Sequence, residues 1–158
     1  MKKYLPVLSG LALLAVCLTS CQTVDLYEKW ATMPKQEWKS NFIPSFKFTI
    51  KDTTVPYQLY VVLRHTQQYN YNNIYVNVWA KGPQQDSAVN IQQDLLLATN
   101  EKGWLGQGMD DIYSHMIKLG DPILLKAGDY EFKLEQIMRE DPLKHVLDAG
   151  IRIEKTGM

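Results

Sequence analysis

Apolar residues recur at every second position through most of this chain. Phe46, Phe48 and Ile50 fall on one face, with Ser45, Lys47 and Thr49 on the other. A period of two with a polar opposite face marks a strand buried on one side only. Leu59, Val61 and Leu63 alternate with Tyr60, Val62 and Arg64, which predicts a strand with two fairly apolar faces. Ile74, Val76 and Val78 alternate with Tyr75, Asn77 and Trp79. Val89, Ile91, Gln93, Leu95 and Leu97 keep the same period. Tyr130, Phe132 and Leu134 keep it against Glu131, Lys133 and Glu135, and Ile151 and Ile153 keep it near the end.

Turn chemistry separates these runs. Asp52-Thr53-Thr54-Val55-Pro56, Lys81-Gly82-Pro83 and Ala127-Gly128-Asp129 are breakers. Residues 66–73 read as a long hairpin loop, and residues 30–44, with two prolines and Trp38, as irregular connection. Ile123 to Leu125 reads as a brief strand. Residues 111–119 stay ambiguous: Ile112, Met116 and Leu119 suit a short helix, and Ile112, Ser114 and Met116 fit a strand poorly. The sum is about eight short strands with no long helical period. That predicts an all-β chain, an antiparallel β-sandwich carrying at most one short helix, with a barrel as the alternative. An outer-membrane barrel is excluded, because the outward positions carry Lys, Glu and Gln where lipid demands apolar residues.

The start of the chain follows a different logic. Met1-Lys2-Lys3 is a short positive region, and an apolar stretch runs from Leu5 to Leu18. Roughly 14 apolar-rich residues are too few to span a bilayer, which takes about 20. The stretch reads as a signal peptide, to be set aside from fold reasoning. Leu18-Thr19-Ser20-Cys21 then has the form of a lipobox, a Leu and two small residues before a cysteine. Cleavage before Cys21 leaves a thiol and an amine for acylation. At roughly 0.8 kcal/mol per buried CH₂, two or three chains anchor firmly where one does not. The plainer alternative is a secreted protein cut near Ser20 with a spare cysteine. The expected layout is a signal peptide at 1–20, a lipidated tether at 21–23 and one sandwich domain at 24–158, with Val24 or Leu26 opening its first strand.

Removing residues 1–20 takes Lys2 and Lys3 from 17 basic residues and none of the 17 acids, so the mature charge is −2. That balance gives no reason to expect nucleic acid as a partner. Cys17 leaves with the signal and Cys21 carries lipid, so no disulfide is expected. A domain of this length buries a sufficient core without one.

Catalytic chemistry is hard to find. His65, His115 and His145 are far apart in sequence and none has metal-ligand spacing, so each reads as a strand-end or surface residue. No serine sits in a Gly-x-Ser-x-Gly elbow. The loop Gly103 to Gly108 lacks the Lys-Ser/Thr of a phosphate loop and reads as a tight turn, with Trp104 packed on the sandwich end. Asp110-Asp111 could cap a helix at Ile112; as calcium ligands they supply too few oxygens. No catalytic residue, metal or cofactor is expected. Tyr69, Tyr71 and Tyr75 cluster with Asn70, Asn72 and Asn73, and together with Trp104 they are the candidate interaction loops. They suit a protein interface, a glycan site, or a loop whose rings fold onto the sheet. Arg139 and Arg152, if outward, could pair with Glu135 and Glu154.

Several segments occur together in a characteristic order. After the lipobox come Asp52-Thr53-Thr54-Val55-Pro56-Tyr57, Leu63-Arg64-His65 and Asn73-Ile74-Tyr75. Gly103-Trp104-Leu105-Gly106-Gln107-Gly108, Gln136-Ile137-Met138-Arg139 and Gly150-Ile151-Arg152-Ile153-Glu154-Lys155 follow. This order resembles the GldH-type gliding-motility lipoproteins of the Bacteroidota, over nearly all the mature chain. The Gly-Trp-Leu-Gly motif and the Gly-Ile-Arg-Ile-Glu-Lys ending carry most of the likeness. The resemblance implies an accessory, non-enzymatic envelope lipoprotein of the gliding machinery, with other envelope proteins as partners. It also occurs in relatives that do not glide.

Within that phylum, acidic residues just after the lipidated cysteine mark surface export. Here Gln22-Thr23-Val24-Asp25 follows Cys21, so the expected place is the outer membrane, facing the periplasm. Asp86-Ser87-Ala88 and Asp52-Thr53-Thr54 resemble the phylum's O-glycosylation acceptors, which makes Ser87 and Thr53 candidates. A glycan- or peptidoglycan-binding module is the rival reading, and an unseen hydrolase a third.

Overall fold

The computed structural model describes residues 26–156. The expected signal peptide, Cys21 and Val24 lie outside the described residues.

The described chain is built of strands. In order they are β1 (Leu26–Thr32), β2 (Glu37–Trp38), β3 (Ser45–Ile50), β4 (Tyr57–Thr66), β5 (Asn73–Lys81), β6 (Val89–Leu96), β7 (Ala98–Thr99), β8 (Gly103–Trp104), β9 (Gln107–Met109), β10 (Ile112–Ile123), β11 (Gly128–Gln136), β12 (Leu143–Lys144) and β13 (Val146–Lys155). Eight of them run six residues or longer. A single 3₁₀ turn, Pro34–Gln36, is the only helical element among the described residues.

One sheet has the order β1-β13-β4-β10-β9 and the other β3-β11-β5-β6, every neighbour antiparallel. Two small pairs, β2 with β12 and β7 with β8, close the sides. The sheets face each other across Phe46, Phe48, Val61, Leu63, Ile74, Val76, Leu134 and Ile151, all buried. Tyr27 ties the two at one edge: its hydroxyl donates to the Lys47 carbonyl (2.7 Å) and its ring lies 5.2 Å from that of Phe48. The sandwich expected from alternation is therefore the fold. Strand β4 sits between β13 and β10 with both edges hydrogen-bonded, and its outward side chains Gln58, Tyr60 and Val62 are buried as well as its inward ones.

Three local expectations are corrected. Residues 67–72 are not a hairpin loop, because β4 and β5 belong to different sheets; the segment crosses from one layer to the other. Residues 112–123 form β10 and no helix, so Asp110-Asp111 caps nothing and instead turns the β9–β10 hairpin, with Asp110 at φ +55°. The inward face of β10 is Tyr113, His115, Ile117 and Leu119, and Met116 faces solvent. Finally, Ile123 ends β10, and Leu124 and Leu125 lie beyond it.

Candidate functional site

The alternation of β4 does not stop at Leu63. Two residues further along the same face stands His65, and on the neighbouring strand His115 occupies the matching inward face. Their register partners are Tyr113 and Leu63, so the two imidazoles are diagonal neighbours. They are 0% and 3% exposed, and their Nε2 atoms lie 2.9 Å apart. Their rings stack at 4.9 Å with an interplanar angle of 20°.

Hydrogen-bond logic assigns the protons. His65 Nδ1 lies 2.8 Å from the Thr66 carbonyl, which only accepts, so Nδ1–H donates there. His65 Nε2 is then a lone pair, and His115 Nε2–H donates to it. Burial pulls His65 below its ordinary pKa and pulls His115 from 6.5 down to about 4, with the neighbouring ring adding to the second shift. Both are neutral at pH 7. Two imidazolium rings would bring two N–H groups head to head at this distance, so the intact pair accepts at most one further proton.

An aromatic shell closes over the pair. The rings of Trp104, Tyr69 and Tyr113 lie 4.4, 5.1 and 5.8 Å from that of His65. Tyr71 meets Tyr69 edge-on at 5.7 Å, and its hydroxyl donates to Glu140 (2.9 Å). Tyr69 is 4% exposed; its hydroxyl donates to the Asn73 carbonyl, and burial raises its pKa well above the tyrosine range.

The Gly-Trp-Leu-Gly segment is the lid. Gly103 takes φ +65°, and Leu105 N–H donates to the Leu97 carbonyl (2.8 Å). At Gly106 a Cβ would lie 2.6 Å from the Ser114 carbonyl and 2.9 Å from the His115 ring. Glycine there lets the backbone pass directly over the imidazole.

Thus the structure gathers Tyr69, Tyr71 and Trp104 at one end of the sandwich, with Tyr69 and Trp104 packed on His65 and Tyr71 packed on Tyr69. Tyr75 stands apart on the outer face of the other sheet, partly exposed. His65 does stand near the end of β4, but it is buried, and His115 is buried inside β10, so the surface reading fails for both. Extending the period of β4 by two residues would have placed His65 inside. Nothing local in residues 112–119 would have paired it with His115.

Thr53 and Ser87 are exposed, in the β3–β4 and β5–β6 connections. Asp52 Oδ1 accepts both the N–H and the hydroxyl of Thr54, and these bonds, with Lys155, hold its carboxyl down at about 2. Arg152 does pair with Glu154 (2.7 Å) and also reaches Glu28 across the strands (2.9 Å). Glu135 is not Arg139's partner; it accepts from Asn77 (2.9 Å) and Trp79 (3.2 Å). A surface groove beside β11 holds Lys47, Lys81, Asp129 and Glu131. Its two acids are engaged by Thr49 and Ser45 and lie apart from either buried histidine.

An antiparallel sandwich whose most polar core feature is sealed under aromatic rings defines a β-sandwich module, with its exposed surface left for contacts. The family described as GldH lipoprotein matches residues 25–153, and the chain belongs to that family. It is 24% identical over 150 residues to the gliding motility lipoprotein GldH homolog of Christiangramia forsetii, covering 89% of this chain and 90% of that protein. It is 26% identical over 155 residues to the gliding motility lipoprotein GldH of Flavobacterium johnsoniae, covering 93% and 96%. Among solved structures, dimeric latent PorU from Porphyromonas gingivalis matches 87% of this chain at 10% identity with a TM-score of 0.40, and the match covers 13% of PorU.

Proposed function

We propose that this chain is a non-enzymatic envelope lipoprotein, anchored through lipid on Cys21 at the outer membrane and facing the periplasm, that serves as an accessory part of a gliding-type machinery. The family match across residues 25–153 carries this reading, and the names of the two relatives point to the process. The buried pair supports the absence of catalysis: His65 is hydrogen-bonded through both ring nitrogens, His115 through Nε2, and both rings are buried away from any substrate.

The contact surface is the end that carries the lid. Three exposed apolar side chains belong to this end: Leu105 follows Trp104, Leu96 pairs with Asn73, and Met109 ends β9. An apolar rim over a rigid aromatic base suits a protein partner. A glycan site is less well served, because Tyr69 and Trp104 lie against His65 and Tyr75 stands apart from both. Gentle crosslinking in cells and capture of the tagged protein test this. Envelope proteins should co-purify, and Leu96→Asp with Leu105→Asp should deplete them at least fivefold while the fold persists. Co-purifying peptidoglycan or sugar with no protein would favour the rival reading. Digestion by protease added to intact cells would move the protein to the outer surface.

A further inference from the structure

The sandwich has two ends, and the tether leads to the one opposite the histidines. Leu26 opens β1 there, and its register partner is Glu154. Gln58 pairs with Glu154, Tyr57 with Lys155, and Ile123 with Tyr57. The first residue of β1, the last of β13, the first of β4 and the last of β10 therefore share one rim. Five residue steps separate Cys21 from Leu26, a reach of about 18 Å at full extension. Ile123 lies three strand positions from Leu26, about 14 Å away at roughly 4.8 Å per strand. However the tether runs, this rim stays close to the lipid.

The rim is apolar where nothing in the fold requires it. On β10, Leu119 pairs with Leu59 and Ile123 with Tyr57, four steps against two, so the strand bulges through Gly120 (φ +61°), Asp121 and Pro122. Gln58, itself buried, clamps the bulge by donating to the carbonyls of Gly120 (3.1 Å) and Leu59 (3.0 Å). Beyond it Ile123 is 50% and Leu124 65% exposed, and Leu125 returns to the core. On the far side, the Tyr130 hydroxyl accepts from Lys126 N–H (3.0 Å) and donates to the Lys126 carbonyl (3.2 Å). Leu26, at 49%, completes the rim. A loop fixed from both sides that holds two aliphatic side chains in water is shaped for an apolar medium. Lys51 and Lys126 are exposed beside it and long enough to keep their ammonium groups at head-group level, with Asp121 exposed among them.

We propose that Leu26, Ile123 and Leu124 rest in the boundary between head groups and acyl chains of the leaflet that holds Cys21. The sandwich would then stand on the membrane with its lid end directed away. This rests on the anchoring reading above. The lipid places the rim at the bilayer, and the bulge makes the contact, so docking should respond little to salt.

The test uses the lipidated protein reconstituted into vesicles of phosphatidylethanolamine and phosphatidylglycerol. Cys17 is lost on cleavage and Cys21 is acylated, so Leu124→Cys and Leu105→Cys each offer one thiol for an environment-sensitive dye. The dye at 124 should shift to shorter wavelength and be quenched by brominated lipid at least twofold more than the dye at 105. Labelling of Lys126 by a water-soluble ester should be slowed at least threefold relative to Lys144, and Leu124→Asp should remove that protection. Equal, water-like behaviour at 124 and 105, in protein that partitions into the detergent phase of Triton X-114, overturns docking alone. Partition into the aqueous phase overturns the anchoring reading and docking with it.

Discussion

His115 Nε2 donates to His65 Nε2 across 2.9 Å, within the interior of the sandwich and beneath Trp104. A buried neutral pair of this kind ties stability to pH. The folded pKa of His115 is about 4 against 6.5 for the free side chain. Between those values the unfolded chain binds a proton that the folded chain refuses, so the His115 contribution to stability is lost as pH drops from 6.5 towards 4. A shift of this size amounts to about 3 kcal/mol. Urea denaturation at pH 7 and pH 4.5 measures it; equal midpoints would show that the pair protonates freely in the folded state.

Replacing one histidine should separate two effects. His115→Leu removes the group that titrates near 4 and leaves His65 Nε2 without its donor. The orphaned acceptor costs about 1–3 kcal/mol at pH 7. The variant should then lose less on acidification than the parent, so the two denaturation midpoints converge at pH 4.5. Parallel pH profiles would assign the acid sensitivity to other groups.

The lid should tolerate change very unevenly. At Gly106 a methyl group meets the Ser114 carbonyl and the His115 ring, an overpacking worth about 1–3 kcal/mol. At Gly103 no atom stands within 4 Å of an added Cβ, and φ +65° is the only obstacle, which costs about 1 kcal/mol. Gly106→Ala should therefore lower the melting temperature more than Gly103→Ala, and it alone should move the His115 ring resonances.

The ionic ladder on the outer face of the larger sheet should matter little. Arg152 bridges Glu28 and Glu154, and the Tyr60 hydroxyl donates to Glu154 (2.6 Å). All three charged groups are partly solvated, and such pairs contribute less than about 1 kcal/mol. Arg152→Met keeps the aliphatic stem and should change stability by no more than that. A much larger loss in 1 M salt as well as in dilute buffer would mean that packing of the stem, and not charge, dominates.

The two glycosylation candidates should behave alike. Thr53 lies in the β3–β4 connection and Ser87 in the β5–β6 connection, and both are exposed. The two connections share one end of the sandwich: Ile50, just before the first, pairs with Gly128, and a Cβ added at Gly128 would meet Pro83 of the second. Intact mass of the native protein should show glycan that Ser87→Ala or Thr53→Ala removes. A mass equal to polypeptide plus lipid removes both.

Alternation by itself determined the architecture: an antiparallel sandwich, the inward residues of β3, β4, β5 and β11, and the doubly apolar faces of β4. Each rests on neighbours two residues apart, a spacing that any pleated strand must respect. The lipobox-like start and the Gly-Trp-Leu-Gly and Gly-Ile-Arg-Ile-Glu-Lys motifs likewise pointed to the family. What lay beyond reach was set by pairing between distant strands. Residues 67–72 change sheets because β5 finds β11 and β6, and not β4. Residues 112–123 become a strand because β4 supplies a long hydrogen-bonding edge, and this overrides an ambiguous local pattern. His65 and His115, 50 residues apart, meet only because that register sets them diagonally on one buried face. Local sequence specifies which face a residue takes on its strand; only the tertiary structure decides which strand lies beside it, and chemistry between two side chains depends on the second.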